Sequence, residues 1–171
     1  MKKHFLLILD GMTGSGKTTI ARLLAKKLPR TAVIGMDKVK RYISDFERGE
    51  RDNTIARDVV FEMTKTYFEH NISVIVEQPF KNNEEIKKYE RLAVKYKLNC
   101  YKFQLFSSPE IAYARVVNRQ QDLKDKCPKE RIKRNISLFK KNNNMGFVVI
   151  DTSNLGEKKV SNLIFKEIKQ Q

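Results

Sequence analysis

The stretch 6–28 constrains this chain more than any other. It reads LLILD, then GMTGSGKTT, then IARLLAKKL. The middle part fits G-x-x-x-x-G-K-[ST] at Gly11, Gly16, Lys17 and Thr18, with an apolar run before it and an amphipathic helical pattern after it. Phosphate oxygens must reach successive backbone N–H groups, and side chains would block that approach. Gly11, Gly14 and Gly16 leave the backbone bare and permit left-handed dihedrals. A helix opening near Lys17 aims its free N–H groups and positive dipole end at an anion. The loop Gly11, Met12, Thr13, Gly14, Ser15, Gly16, Lys17, Thr18, Thr19 is therefore expected to bind a nucleoside triphosphate. In that role Lys17 reaches the β- and γ-phosphates, and the Thr18 hydroxyl ligates Mg²⁺.

Short apolar runs alternate with helical patterns along the remaining sequence. That alternation predicts a parallel sheet with helices on both faces. Strands are expected over 5–9, 32–35, 73–76, 101–106 and 147–150. The first helix places Ile20, Leu23, Leu24 and Leu28 on one face and stops at Pro29. Further helices are expected over 38–46 and over 53–70, where Ile55, Val59, Met63 and Tyr67 share a side. Asn83 reads as the cap of the next helix, with Glu84 and Glu85 in its first turn and Asn99 as a left-handed stop beyond its end. Ser108-Pro109-Glu110 reads as N-cap, N1 and acidic N2 of another. A helix rich in Lys and Arg follows Pro128, and a last amphipathic one covers 157–168. Residues 122–126 and 142–146 read as turn and loop. The sum is a doubly wound, three-layer α/β/α fold with five parallel strands in one domain over 1–171. Its ligand crevice is expected at the C-terminal ends of the strands.

The 171 residues suffice for a full core, and 40% of them are apolar. The 35 Lys and Arg against 20 Asp and Glu give a net charge of +15. Such a balance fits a polyanionic partner such as nucleic acid, or a solvated lysine surface; it bears on association, not on fold. Cys100 and Cys127 lack metal-like spacing and read as free thiols of a cytoplasmic protein. The apolar run 5–9 ends at Asp10, too short for a signal sequence. No run approaches the length of a membrane span, so no membrane partner is expected.

Polar side chains then cluster where the crevice should be. Asp37 follows the second strand, where a carboxylate could take or orient the proton of an acceptor hydroxyl; a helix N-cap is the competing reading. Glu77 ends Val74-Ile75-Val76, placed to hold a water on Mg²⁺ or to touch substrate, although a Walker B segment usually ends in Asp; a strand-end charge in solvent competes. Arg115 and Arg119 lie one helical turn apart, suited to charge on a transferred phosphoryl group; a basic solvent face competes. Arg131 and Arg134 follow on the next helix. Lys40 and Arg41 are placed to hold an acceptor phosphate or other anion. Asp10 lies beside the phosphates or at a solvated strand end. The segment 115–141 reads as a lid.

These features together resemble a P-loop kinase of the small phosphotransferase group, which includes polynucleotide 5′-kinases, zeta-toxin-like kinases, chloramphenicol phosphotransferase, gluconate kinase and shikimate kinase. The resemblance rests on GMTGSGKTT, on GMDKVKR from Gly35, on SVIVEQPF from Ser73, on FQLFSSPEIAYARVVNR from Phe103, and on IDTSN from Ile150. It implies the P-loop nucleoside triphosphate hydrolase fold with a helical lid, ATP and Mg²⁺ as cofactors, Asp37 as acceptor base and Arg115 and Arg119 as lid arginines. It also implies that Thr152 to Asn154 neighbour the base. Members often carry Asp-x-x-Arg after the second strand; here Lys40 holds the matching position and Arg41 follows it. The expected activity is phosphorylation of a hydroxyl on a small molecule, with Glu77, Asp37, Lys40 and Arg41 at the acceptor. A polynucleotide 5′-hydroxyl kinase and a nucleotide-binding regulator or ATPase without an acceptor are the alternatives.

Overall fold

A strand whose side chains are all apolar has no face to give to water, so it must be covered on both sides. In a computed structural model, described over residues 4–120, 126–139 and 145–170, the run 5–11 is buried at every position. The elements are β1 (Phe5–Gly11), α1 (Lys17–Ala25), β2 (Thr31–Ile34), α2 (Met36–Lys40), α3 (Glu50–Glu69), β3 (Ser73–Glu77), α4 (Asn83–Lys95), β4 (Asn99–Phe106), α5 (Pro109–Arg119), α6 (Lys129–Ser137), β5 (Val148–Asp151) and α7 (Glu157–Gln170).

Alternation along β1 builds two cores. Leu6 and Ile8 pack with Val74 and Val76 of β3 and with Ala56, Val60, Ile86 and Tyr89 from α3 and α4. Phe5, Leu7 and Leu9 pack on the opposite face with Ile20 and Leu24 of α1 and Val160 and Ile164 of α7. Each fully buried Leu or Ile contributes about 1.5–3 kcal/mol of hydrophobic stabilisation. Five strands form one parallel sheet in the order β2-β3-β1-β4-β5. The chain leaves β1 towards β2 and β3 on one side and later fills β4 and β5 on the other. The strand order thus reverses at β1, and the crevice opens beyond its carboxyl end. A third, smaller apolar cluster joins Met12 to Ala112 and Val116 of α5 and to Ile132 and Ile136 of α6.

Several boundaries differ from expectation: α3 starts at Glu50 rather than at 53, β4 starts at Asn99 rather than at 101, and β1 runs on to Gly11. Helix α2 ends at Lys40 instead of continuing to 46, and the residues after it, Ser44 and Asp45 among them, take turn conformations that such side chains favour. Asn82, not Asn83, caps α4: its side chain accepts a 3.0 Å hydrogen bond from the Glu85 N–H. The left-handed residue after α4 is Lys97 (φ 55°), while Asn99 already opens β4. The Ser108 cap and the Pro109 start of α5 are as expected. Parts of the expected turn at 122–126, of the loop at 142–146 and of the segment 115–141 lie outside the described residues. Among the described residues no helix is long and apolar enough to cross a membrane.

Candidate active site

The loop between β1 and α1 has the backbone its glycines permit. Gly14 (φ 83°) and Gly16 (φ 92°) are left-handed, and Gly16 caps α1. Close approach adds a second constraint. A Cβ on Gly11 would stand 2.3 Å from the Leu105 carbonyl oxygen, and one on Gly14 would stand 2.4 Å from that of Ala112. The loop is therefore clamped against β4 and α5, and any side chain at those positions would force it out. Lys17 folds back over the loop, and its Nζ donates to the carbonyl oxygens of Gly11 (2.7 Å) and Met12 (2.9 Å). Ser15 is buried with its hydroxyl oxygen unpartnered, and Thr19 is exposed.

Beside the loop, the Thr18 hydroxyl donates to the Glu77 carboxylate, 3.0 Å from Oε2 and 3.2 Å from Oε1. Glu77 is the last residue of β3, so the strand fixes its position. The turn after β2 presses on the same spot: a Cβ on Gly35 would stand 2.2 Å from the Glu77 carbonyl oxygen. Glu77 is thus held in the crevice, not left as a solvated strand end. A hydroxyl and a carboxylate are hard oxygen donors, which is the set that suits Mg²⁺ shared with phosphate oxygens.

Asp37 is not an N-cap. Gly35 caps α2 and Asp37 lies in its first turn, its side chain 81% exposed and its Oδ1 3.5 Å from Lys40 Nζ. Lys40 is buried and also donates to Asn53 Oδ1 (2.8 Å). Asp10 is buried rather than solvated. Its Oδ2 accepts from Gln104 Nε2 (2.7 Å), the residue level with it on β4, and its Oδ1 accepts from the Phe80 N–H (3.2 Å).

A cavity of about 800 Å³ runs past Thr18, Asp10, Asp37 and Lys40, whereas Lys17 and Glu77 do not line it. Gly11, Met12, Thr13 and Thr18 line it at one end, with Asp10, Asp37, Lys40, Arg41 and Arg119 around it. Its far wall comes from α3, α6 and the turns beside them, through Phe46, Arg48, Asn53, Arg57, Phe80, Lys81 and Arg131. The arginine pair on α5 separates. Arg119 lines the cavity, whereas Arg115 donates to the Thr152 hydroxyl (3.1 Å) and carbonyl (2.8 Å). Thr152 in turn donates to the Ser15 carbonyl oxygen (3.1 Å), so Arg115 braces the back of the phosphate loop. Arg134 is exposed on α6 and does not line the cavity.

The charges here are poorly solvated. Burial holds the Lys17 ammonium below its ordinary range, against the pull of Glu77, Asp10 and Asp37; the Arg119 charge adds to the lowering. Burial likewise pushes the Glu77 carboxyl above its ordinary range, opposed by Lys17 and the Thr18 hydrogen bond. A phosphate chain and its cation would give both groups the counter-charge that water no longer supplies.

Phe46, Arg48, Asn53, Arg57, Lys81 and Gln104 were not among the residues singled out from the sequence. Arg57 reaches the cavity only because α3 packs beside α4, a long-range fact without a local signal. Gln104 had one faint mark: like Asp10, it is polar near the C-terminal end of an apolar strand.

A family model described as AAA domain matches residues 6–141. No curated protein matches the chain. Among solved structures, a candidate kinase of Chloroflexus aurantiacus superposes with a TM-score of 0.74 at 18% identity, covering 99% of this chain and 98% of that one. The Mycobacterium tuberculosis APS kinase CysC, solved with AMPPNP and APS, gives 0.69 at 11% identity, with 100% of both chains covered. A chain of the Pnkp1/Rnl/Hen1 RNA repair complex gives 0.65 at 17% identity, covering 80% of this chain and 44% of that one. At these identities the likeness is one of fold.

Proposed function

The chain belongs to the AAA domain family, and from that premise we propose that it is an ATP- and Mg²⁺-dependent kinase acting on a hydroxyl of a small molecule, such as a metabolite, nucleoside or antibiotic. The observation that carries this reading is the cavity. It starts at the phosphate loop, passes Asp37 and continues to walls from α3 and α6, which leaves room for a second reactant beside a triphosphate. The kinase-fold neighbours support the same reading.

In the reaction proposed, the acceptor oxygen forms a bond to the γ-phosphorus as the bond to the β–γ bridging oxygen breaks, and ADP leaves. Asp37 takes or orients the acceptor proton. Lys17, released from the Gly11 and Met12 carbonyls, and Arg119 stabilise charge on the transferred group. Thr18 and Glu77 would hold Mg²⁺, which neutralises phosphate charge when bound. The loop Gly11 to Thr19 holds the triphosphate, Arg115 fixes the loop through Thr152, and Lys40 and Arg41 face the acceptor. Residues 115–141 serve as a lid that excludes water. The free thiols Cys100 and Cys127 suit the reducing cytoplasm, where we place the activity.

The test is ADP release from Mg-ATP over a panel of nucleosides, nucleotides, sugar acids, antibiotics and 5′-hydroxyl oligonucleotides, with Lys17→Ala as control. Stimulation by a small acceptor, lost in the control, is the expected result. A flat panel over a wild-type background would favour a regulator or ATPase. A polynucleotide 5′-hydroxyl is the second reading, supported by the basic cavity wall and by the RNA repair neighbour; stimulation by oligonucleotides alone would establish it.

A further inference from the structure

A hollow of about 390 Å³ lies between α3 and α4. Arg57, Lys81 and Asn82 line both this hollow and the main cavity, so they form a shared wall. Two of the lining side chains are aromatic. Phe61 and Tyr89 meet edge to face, with ring centres 5.2 Å apart. Polar atoms without partners collect at the same place. Six buried side-chain atoms among the described residues have no hydrogen-bond partner, and three of them are Arg57 Nε, Arg57 Nη1 and the Tyr89 hydroxyl. A buried donor left unpaired costs stability, and native folds keep few of them. Tyr89 is 1% exposed, and the charges that act on its hydroxyl belong to Glu85, Asp58 and Arg57, all lining the hollow. Burial, with the two carboxylates, pushes the phenol above its ordinary range, so it keeps its hydrogen and can donate it.

The charges around the hollow bear on what can enter. Arg57 Nε lies 3.6 Å from Glu85 and Nη1 4.0 Å from Glu50, ion pairs that are not hydrogen bonds. Asp58 and Glu84 add carboxylates to the lining, which disfavours an anionic guest. Lys88 Nζ stands 3.9 Å from the Phe61 ring centre and already takes up the attraction of that ring for a cation. Lys81 and Arg91 add to the basic side, which disfavours a cationic guest. We propose that this hollow is a second small-molecule site, separate from the nucleotide and acceptor cavity, and that it takes an uncharged aromatic ring bearing a carbonyl or hydroxyl oxygen. The ring packs beside Phe61 and Tyr89, and its oxygen accepts from the Tyr89 hydroxyl and from Arg57. Aromatic lining with a few convergent polar groups is the usual form of such a site. Because Arg57, Lys81 and Asn82 are shared, a bound ring also fixes three side chains of the main cavity.

The experiment follows two-dimensional amide NMR spectra of the full chain in Mg-AMPPNP, titrated with benzamide, toluene, benzoate and benzylamine. Benzamide is neutral and carries the oxygen. Toluene lacks the oxygen, benzoate adds a negative charge and benzylamine a positive one. Benzamide should bind about fivefold tighter or better than each of the others, in line with one or two added hydrogen bonds. Its shifts should map to Thr54, Phe61 and Tyr89 and leave Gly14 and Gly16 unmoved. Tyr89→Phe keeps the ring and removes the hydroxyl, so the advantage of benzamide over toluene should fall to about twofold. Thr54 is exposed at the rim, so Thr54→Trp should fill the hollow without entering the core and abolish saturable binding. That variant decides the matter if Tyr89→Phe melts early. Absence of saturable benzamide binding, equal affinity for toluene, or an advantage intact in Tyr89→Phe would overturn the proposal. So would shifts confined to the phosphate loop, which would make benzamide a guest of the main cavity.

Discussion

Asp37 and Lys40 stand 3.5 Å apart on one short helix, yet one side chain is 81% exposed and the other 7%. An exposed carboxylate beside a buried ammonium is placed to meet an incoming hydroxyl. Replacing Asp37 by Asn keeps the shape and removes the base. We expect kcat to fall by about 10²- to 10⁴-fold, the usual worth of a positioned acid or base, with AMPPNP affinity retained; unchanged turnover in steady-state assays would take Asp37 out of the chemistry. Glu77 gives a pH prediction. Its carboxyl is pushed up chiefly by burial, so the folded protein keeps that proton to a higher pH than the unfolded chain does. Stability must then fall as pH rises from the ordinary carboxylate range through the raised value. Glu77→Gln lacks that loss, and Lys17 still has Asp10 and Asp37 within electrostatic reach. Its melting temperature should exceed that of the wild type near neutral pH, and the gap should close in acid; a gap that is absent or reversed at neutral pH would contradict this account. Lys17 and Thr18 could be picked out in the sequence because their motif is contiguous. Arg48 and Arg57 could not, because only packing between distant segments brings them to the same cavity.

At the scale of elements, the phosphate loop and the α5–α6 pair are one mechanical unit. Met12 points from the loop into the apolar cluster of Ala112, Val116, Ile132 and Ile136. The Ser107 N–H lies 3.3 Å from its sulfur. Gly14 meets the backbone at Ala112 so closely that no Cβ fits. The loop that holds phosphate thereby positions the helices that carry Arg119 and Arg131. Met12→Ala should cost about 2–5 kcal/mol, the usual range for truncating a buried methionine. It should also raise KM for the acceptor more than for ATP. Denaturant titration and steady-state kinetics check both, and an unaltered acceptor KM would uncouple loop from lid. The strands could be placed from the sequence because apolar runs bounded by Gly, Pro and charge have one stable use in a chain with alternating helices. Helix ends were harder. The 38–46 pattern continued past Lys40, where the backbone turns. Asn82 and Asn83 are both good caps, and only the packing of α4 selects the first.

For the whole molecule, the question is where the charge of +15 acts. Spread over a solvated surface, it would attract any polyanion weakly and would be screened within about 8–10 Å at ordinary ionic strength. Part of it is gathered in one place. Lys40, Arg41, Arg48, Arg57, Lys81, Arg119 and Arg131 line one cavity in which Asp10 and Asp37 are the acidic side chains. A triphosphate and its cation would answer the part of that charge near the loop, while Arg57 and Lys81 already have Glu50 and Glu85 beside them. A small acceptor with one oxyanion draws on that field through one or two contacts. A polynucleotide would draw on the cavity and on the outer basic surface together, releasing counterions from each phosphate it places there. The two readings therefore separate by salt. For an oligonucleotide that neutralises Z phosphates, log K falls against log salt with a slope of about −0.7Z, a loss of orders of magnitude between about 50 and 200 mM when Z is large. For a single phosphate or carboxylate in the cavity, the acceptor KM should change only a few-fold over the same range. We expect the shallow response. A steep slope for an oligonucleotide that is also turned over would assign the whole basic surface to nucleic acid and make the cavity wall its innermost contact.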